Sequence, residues 1–317
     1  MLALKLTARS LGSGVLTLIL VSVIVFAIGE LLPGDAAEVM LGQSATPESL
    51  AALRAQMGLD RPAVVRYFLW VAGLLQGDLG LSMASNMPIA ALLTERLGNT
   101  LLLAGLTAVV VVPLSLALGI LSAMKPGSFV DRLVTMVTML VVSVPEFLLA
   151  TTLIIFLAVK TGLFPAISNI RPGDDFVTTL QSLALPVATL TFFVGAQMIR
   201  MTRATLLNVL NLPFVEMAIL KGVPRRRIVL RHALPNAVGP ITNVIALALA
   251  YLVSGVVVVE TIFAFPGMAK LMVESVQVRD LALVQVCAML VCTAYVVLMT
   301  LADTIQVLSN PRLRNTK

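Results

Sequence analysis

Six stretches of this chain run for 17 to 26 residues with almost no charge, and nothing else in it limits the fold so sharply. They are Leu11–Leu32, Thr100–Ala123, Val134–Val159, Leu183–Ile199, Val238–Val259 and Leu281–Leu301. A hydrocarbon core about 30 Å thick takes about 20 helical residues to cross. Within it each backbone N–H and C=O must be paired inside its own segment, so runs of this kind become helices. Composition agrees, with 59% of residues hydrophobic and 12% charged, where a soluble domain has about 45–50% and about 25%. The expected fold class is all-α, a polytopic bundle of about six transmembrane helices. The fourth run is the shortest and extends into Met201–Leu207.

Basic residues orient such a bundle, because cytoplasmic loops retain Lys and Arg. With the N-terminus inside, the cytoplasmic segments hold Lys5, Arg9, Lys125, Arg132, Arg200, Arg203, Lys221, Arg225, Arg226, Arg227, Arg231, Arg312, Arg314 and Lys317. These are 14 of the 22 basic residues, set against three acids, Asp131, Glu216 and Asp303. Both termini are therefore expected in the cytosol. The first run has the charge and length of a secretory signal, but no small-residue cleavage site interrupts it before Leu32, which points to a retained anchor.

A long external segment, Pro33–Asn99, separates the first two runs. Thr46, Pro47 and Glu48 mark a helix start and Gly58 its end, with Leu50, Leu53 and Met57 on one face. Ala63–Gln76 is apolar but too short to span. With Arg66, Tyr67 and Trp70 it suits a helix at the membrane interface or packed on the bundle. Gly77–Gly80 reads as a turn, and Asn86–Pro88 as the opening of a short helix leading towards Arg96.

Pro113, Pro145 and Pro186 fall inside the second, third and fourth runs, where each removes a backbone hydrogen bond and tends to kink a helix. Helices lining a gated path and ordinary packing kinks both fit them. Glu146, beside Pro145, is an acid within an apolar run, and such groups face a cavity or a partner. It fits a pathway or gate residue, and equally one near the cytoplasmic end of its span that reaches interfacial water. Glu30 reads as interfacial. Cys287 and Cys292, five apart on one helix, diverge and read as buried free thiols. One histidine and no zinc-spaced cysteine pair give no metal site, and no spaced nucleophile–base pair indicates catalysis.

The cytoplasmic segment Phe214–Asn236 (FVEMAILKGVPRRRIVLRHALPN) is the anomaly in so apolar a chain. Asn211-Leu212-Pro213 starts a helix and Gly222 caps it, giving about nine residues or roughly 13 Å. Glu216 and Lys221 suit the two ends of the helix dipole. Phe214, Met217, Ala218 and Lys221 share a face, which leaves an exposed Phe214 and a small Ala218 for a groove on another protein. A second helix, Arg225–Leu234, is expected to stop at Pro235. A plainer account has Arg225, Arg226, Arg227 and Arg231 only fixing topology and touching anionic lipid, and the two roles are compatible.

This segment resembles the coupling loop of importer-type ABC-transporter permeases, whose pattern is Glu-Ala-Ala, three residues, Gly, nine residues, an apolar residue, any residue and Leu-Pro. Glu216, Ala218, Gly222, Leu234 and Pro235 match it, while Met217 replaces the middle Ala and His232 the apolar residue. The His232 variant is familiar in the dipeptide/oligopeptide/nickel branch. Other stretches resemble that branch too: Leu32–Asp35, Leu53–Pro62, Gly77–Gly80 with Ser82, Glu95-Arg96 with Asn99–Leu101, Ser143–Pro145, Glu260-Thr261 and Phe265–Gly267. Leu281-Ala282 and the stretch after Phe164-Pro165 depart from it.

The resemblance implies a type I importer permease in the bacterial inner membrane, with residues 1–95 as first helix plus external segment. Residues 96–306 would be the transmembrane core with its coupling loop at 204–236, and 307–317 a cytoplasmic tail. It implies pairing with a second homologous permease, two cytoplasmic ATPases that carry ATP and Mg, and a periplasmic or lipid-anchored binding protein, in contact with membrane lipid and without nucleic acid. The loop residues it assigns to ATPase coupling are Phe214, Glu216, Ala218, Lys221, Gly222, Arg225, Arg231, His232, Leu234 and Pro235. The implied cargo is a di- or oligopeptide, with nickel, glutathione or opines carried in the same branch. The chain itself has no G-x-x-x-x-G-K-[ST] phosphate loop, in keeping with energy supplied in trans. An autonomous secondary transporter is the rival class; it would need ion-coupling acids in mid-membrane, and apart from Glu146 these are scarce in this chain.

Overall fold

The computed structural model describes residues 2–31, 37, 41, 46–56, 58–170, 173–254 and 256–309. Leu32–Asp35, Met57, Arg312, Arg314 and Lys317 lie outside the described residues. The helices are α1 (Leu2–Leu31), α2 (Pro47–Gln56), α3 (Ala63–Gln76), α4 (Ile89–Met124), α5 (Phe129–Ser143) and α6 (Glu146–Leu153). They continue as α7 (Phe176–Leu210), α8 (Pro213–Leu220), α9 (Leu234–Ser254), α10 (Val257–Ile262), α11 (Met268–Gln277) and α12 (Leu281–Ser309). Ile154–Lys160 and Ile228–Ala233 are π-helical. Among the described residues no strand forms, and the one extended pairing is a bridge between Leu81 and Pro88. Among the described residues five helices are long and apolar enough to cross a membrane, and a bent pair brings the number to six if counted as one span.

The chain divides into two compact units. One comprises Met1–Gly14, Leu101–Phe265 and Tyr295–Lys317; the other comprises Val15–Thr100 and Pro266–Ala294.

The first unit is built around α7. Asp175 caps its start by accepting from the Thr178 N–H (3.3 Å), and the bonds from Thr178 hold that carboxyl below its ordinary range. Leu183, Leu190, Val194, Met198 and Leu206 recur along it at helical spacing and are buried, together with Leu103, Val111, Leu252, Phe263 and Phe265 from its neighbours. α4 approaches it closely because glycines stand where the two helices cross. A Cβ on Gly119 would lie 2.8 Å from Thr202 Cβ and 3.1 Å from the Ile199 carbonyl oxygen. Pro113 and Pro186 sit inside continuous helices, as does Pro240 in α9.

The run Val134–Val159, expected as one span, is a broken pair. α5 ends at Ser143, and α6 begins at Glu146 after a bend of 101°. Proline disfavours helical geometry at the residue before it, and Val144 is extended (φ −93°, ψ 128°). The fourth span also exceeds its apolar run at both ends, reaching Phe176 and Leu210.

The second unit carries the external segment. α3 has the expected bounds and lies against α1. Tyr67 and Trp70 pack on Phe26, the Tyr67 hydroxyl meets Ser22 Oγ at 2.8 Å, and Arg66 pairs with Glu30. Glu30 is therefore the ion-pair partner of Arg66. Gly77 closes α3 with φ 81°. Asp280, 1% exposed, accepts from Ser82 Oγ, the Met83 N–H (3.1 Å) and the Leu283 N–H (3.2 Å), fastening the 81–88 loop to the start of α12. The short helix expected after Pro88 does not end before the second span: α4 is unbroken from Ile89. Ile89, Leu93, Met268, Leu283 and Cys287 form this unit's core, and Cys292 is half-buried with its thiol free.

Candidate coupling loop and membrane groove

Pro213 occupies the first turn of α8, where its missing N–H costs nothing. Glu216 stands in that turn and Lys221 at the C-cap, each complementary to the helix dipole. The end is a Schellman motif: the Gly222 N–H bonds the Ile219 carbonyl (2.9 Å) and the Val223 N–H reaches back to the Ala218 carbonyl (3.1 Å). It requires a left-handed residue, and Gly222 supplies it at φ 72°.

Which face of α8 turns inward differs from expectation. Val215 is buried and Phe214 is half-buried against Ala123, Leu206, Val209, Ala233 and Ala237. Phe214 is thus an anchor holding α8 to its own unit. The apolar residues left outside are Met217, Ile219 and Leu220, the last 76% exposed, beside exposed Glu216, Lys221 and Gly222.

Pro235 does not stop the following helix. The turn Arg225–Arg227 passes through the π-helical Ile228–Ala233 directly into α9. A proline ring clashes with the carbonyl four residues back and leaves it unbonded. The wider π turn at Ile228–Ala233 changes the carbonyl spacing the ring meets, and the chain stays helical; Asn236 Nδ2 donates to the neighbouring His232 carbonyl at 2.7 Å. Leu234 packs on the Phe214 cluster, His232 is half-buried, and Arg231 is exposed.

Arg225 Nε donates to the Met124 carbonyl (2.6 Å) at the end of α4. Just beyond, Asp131, 3% exposed, accepts from Arg203 Nε (2.6 Å), Arg203 Nη2 (2.9 Å), the Gly127 N–H (2.7 Å) and Ser122 Oγ. The cluster joins α4, the turn after it, α5 and α7. Sequence reasoning counted Asp131 only as a loop acid. Its signal was the Ser128-x-x-Asp131 spacing of a helix start, where Ser128 Oγ accepts the Asp131 N–H.

At the bend, Glu146 turns inward and accepts the Tyr251 hydroxyl of α9 on Oε2 at 2.8 Å, while its buried Oε1 has no hydrogen-bond partner among the described residues. Tyr251 lines a cavity of about 300 Å³ with Phe193, Gln197, Met198 and Met201. A second cavity of about 370 Å³ is walled by Thr135, Met139, Gln197, Arg200, Met201 and Arg203. Among the described residues no group of three His, Cys, Asp or Glu side chains gathers as a metal site would require.

The family model for the binding-protein-dependent transport system inner membrane component matches residues 115–315, and the N-terminal model for such membrane components matches residues 2–104. A probable peptide ABC transporter permease of Sinorhizobium fredii is 33% identical over 306 residues, covering 96% of this chain and 98% of the relative. A putative peptide transport system permease of Brucella abortus is 32% identical, covering 98% of each. A glutathione transport system permease of Escherichia coli is 34% identical over 298 residues, covering 94% of this chain and 95% of the relative. The chain belongs to the family of binding-protein-dependent transport system inner membrane components: it is a multi-pass permease subunit of an ABC importer, working with separate ATPase and substrate-binding partners.

Proposed function

We propose that this permease imports di- or oligopeptides, forming half of a pathway whose other half is a second, homologous permease, with membrane lipid around the pair. The peptide names of the relatives from Sinorhizobium and Brucella support that cargo, and the glutathione relative supports a second reading, import of that tripeptide-like thiol. A periplasmic or lipid-anchored protein delivers the solute, and ATP with Mg is bound on the two cytoplasmic ATPases. Both termini are cytoplasmic, as the distribution of Lys and Arg favours.

The observation carrying the mechanism is the two-sided α8. Phe214 and Val215 fix it to the α4/α7/α9 core, and Glu216, Met217, Leu220, Lys221 and Gly222 remain outside for an ATPase groove. Ala218 and Gly222 hold its end, Arg225 ties the next turn to α4, and Arg231, His232, Leu234 and Pro235 continue the connection into α9. Closure of the ATPases on ATP then displaces α8 and the start of α9 joined to it, while Pro145 and Glu146, at the bend between α5 and α6, stand on the pathway as a gate. Gly222→Pro and Glu216→Lys are expected to abolish ATP-driven peptide uptake in a permease that still inserts and assembles. Wild-type uptake in both variants refutes the coupling role.

A further inference from the structure

The two cavities share Gln197 and Met201 of α7 as common walls; Arg200 lines one of them, and the Tyr251 hydroxyl, backed by Glu146, lines the other. At one end Arg200 is exposed into the 370 Å³ cavity and has no salt bridge among the described residues, whereas Arg203 in the same wall is held by Asp131. At the other end Tyr251 faces the 300 Å³ cavity and donates its proton to Glu146. The hydroxyl keeps its lone pairs for an N–H donor, with a carboxyl group behind it whose Oε1 has no hydrogen-bond partner among the described residues. Phe193, stacked 5.8 Å from the Tyr251 ring, and Met198 make the middle apolar.

The spacing fits a particular class of solute. Phe193, beside Tyr251, and Arg200 are seven residues apart on one helix, a rise of roughly 10 Å. Three extended peptide residues cover about the same length. A planar guanidinium gives a carboxylate two parallel N–H bonds, and an acid placed within a membrane protein normally faces a partner.

We propose that the two adjoining cavities act as one two-ended site for a short zwitterionic peptide, with its ammonium on the Tyr251 hydroxyl that Glu146 backs and its carboxylate on Arg200. The site rests on the peptide-import reading and gives the permease a selectivity of its own, beyond that of the delivering protein. Blocking either end of the peptide, or removing either charge, leaves one pole of the site unmatched.

The test is ATP-driven uptake of tri-alanine into proteoliposomes holding the complete importer, with the ATPase rate stimulated by the loaded binding protein recorded in the same vesicles. Glu146→Gln and Arg200→Gln are each expected to cut uptake roughly fivefold or more with stimulated ATP hydrolysis retained, the loss of one charge-assisted hydrogen bond. Arg200→Lys, which keeps the charge but loses the paired N–H geometry, is expected to fall between Arg200→Gln and wild type. Tyr251→Phe, which removes only the hydroxyl, reads the ammonium end if Glu146→Gln does not assemble. Wild-type uptake in Arg200→Gln, or in the ammonium-end variant, overturns the two-ended site. Parallel loss of stimulated ATP hydrolysis also overturns it, since the residues then act in coupling. Failure of the wild-type importer itself to take up tri-alanine refutes the peptide reading, and the site with it.

Discussion

The Asp131–Arg203 pair lends itself to a quantitative test because its geometry separates two contributions. Asp131 has a side chain only 4% exposed, and Arg203 28%. Removing one partner of a fully buried pair costs about 3–5 kcal/mol. Arg203 retains access to water, so Asp131→Ala is expected to destabilise by less, about 2–3 kcal/mol, including the lost bonds from Gly127 and Ser122. Arg203→Ala leaves the buried Asp131 carboxylate with only those two donors and the positive end of α5, and is expected to cost at least as much, about 2–4 kcal/mol. The double variant removes both charges together, so the two losses overlap by about 1–2 kcal/mol in a double-mutant cycle. Unfolding of the permease in mixed micelles, followed by circular dichroism across a denaturing-detergent titration, measures all four corners. Additivity within about 0.5 kcal/mol would show that the two groups stand close without depending on each other, and the reasoning would fail.

Two further predictions concern packing and exposure. Gly119→Ala drives a methyl group into Thr202 and the Ile199 carbonyl, and is expected to cost about 1–3 kcal/mol in the same titration. Gly105→Ala on the same helix meets nothing within 4 Å and is expected to be neutral or stabilising by up to about 1 kcal/mol, so equal effects at the two sites would argue against the close α4–α7 crossing. With Cys287 and Cys292 replaced, a Leu220→Cys variant is expected to react readily with a polar maleimide in the permease alone and to be protected once the ATPases bind; unchanged reactivity in the complex would remove Leu220 from that contact.

Local rules carried the sequence a long way wherever one segment decides its own shape. Ala63–Gln76 is bounded by Pro62 and Gly77, and the helix ends there. Gly222 was legible because a Schellman end needs a left-handed residue. Pro235 misled, since the rule that proline ends a helix assumes α spacing, and the π turn before it alters that spacing. Phe214 misled for another reason: which face of α8 docks is set by Ala123, Leu206, Ala233 and Ala237, partners a local pattern does not reveal. Asp131 and Arg203 lie 72 residues apart, and only the packing of α5 on α7 makes them a pair. Pro145 announced a kink but not its size. Glu146 was legible as an acid in an apolar run, and Tyr251, its partner, was not singled out.

The bend at Val144–Pro145 has a mechanical consequence. A straight helix passes a thrust along its axis from one end to the other. Here the second limb leaves the first at 101°, so only about a fifth of an axial thrust on α5, the cosine of that angle, survives along α6, and the rest becomes sideways sweep. α5 starts at the Asp131 cluster, and α6 starts at Glu146. The pair therefore has the geometry of a bell-crank: a small push entering at Asp131 would emerge as a transverse stroke of the limb that carries Glu146.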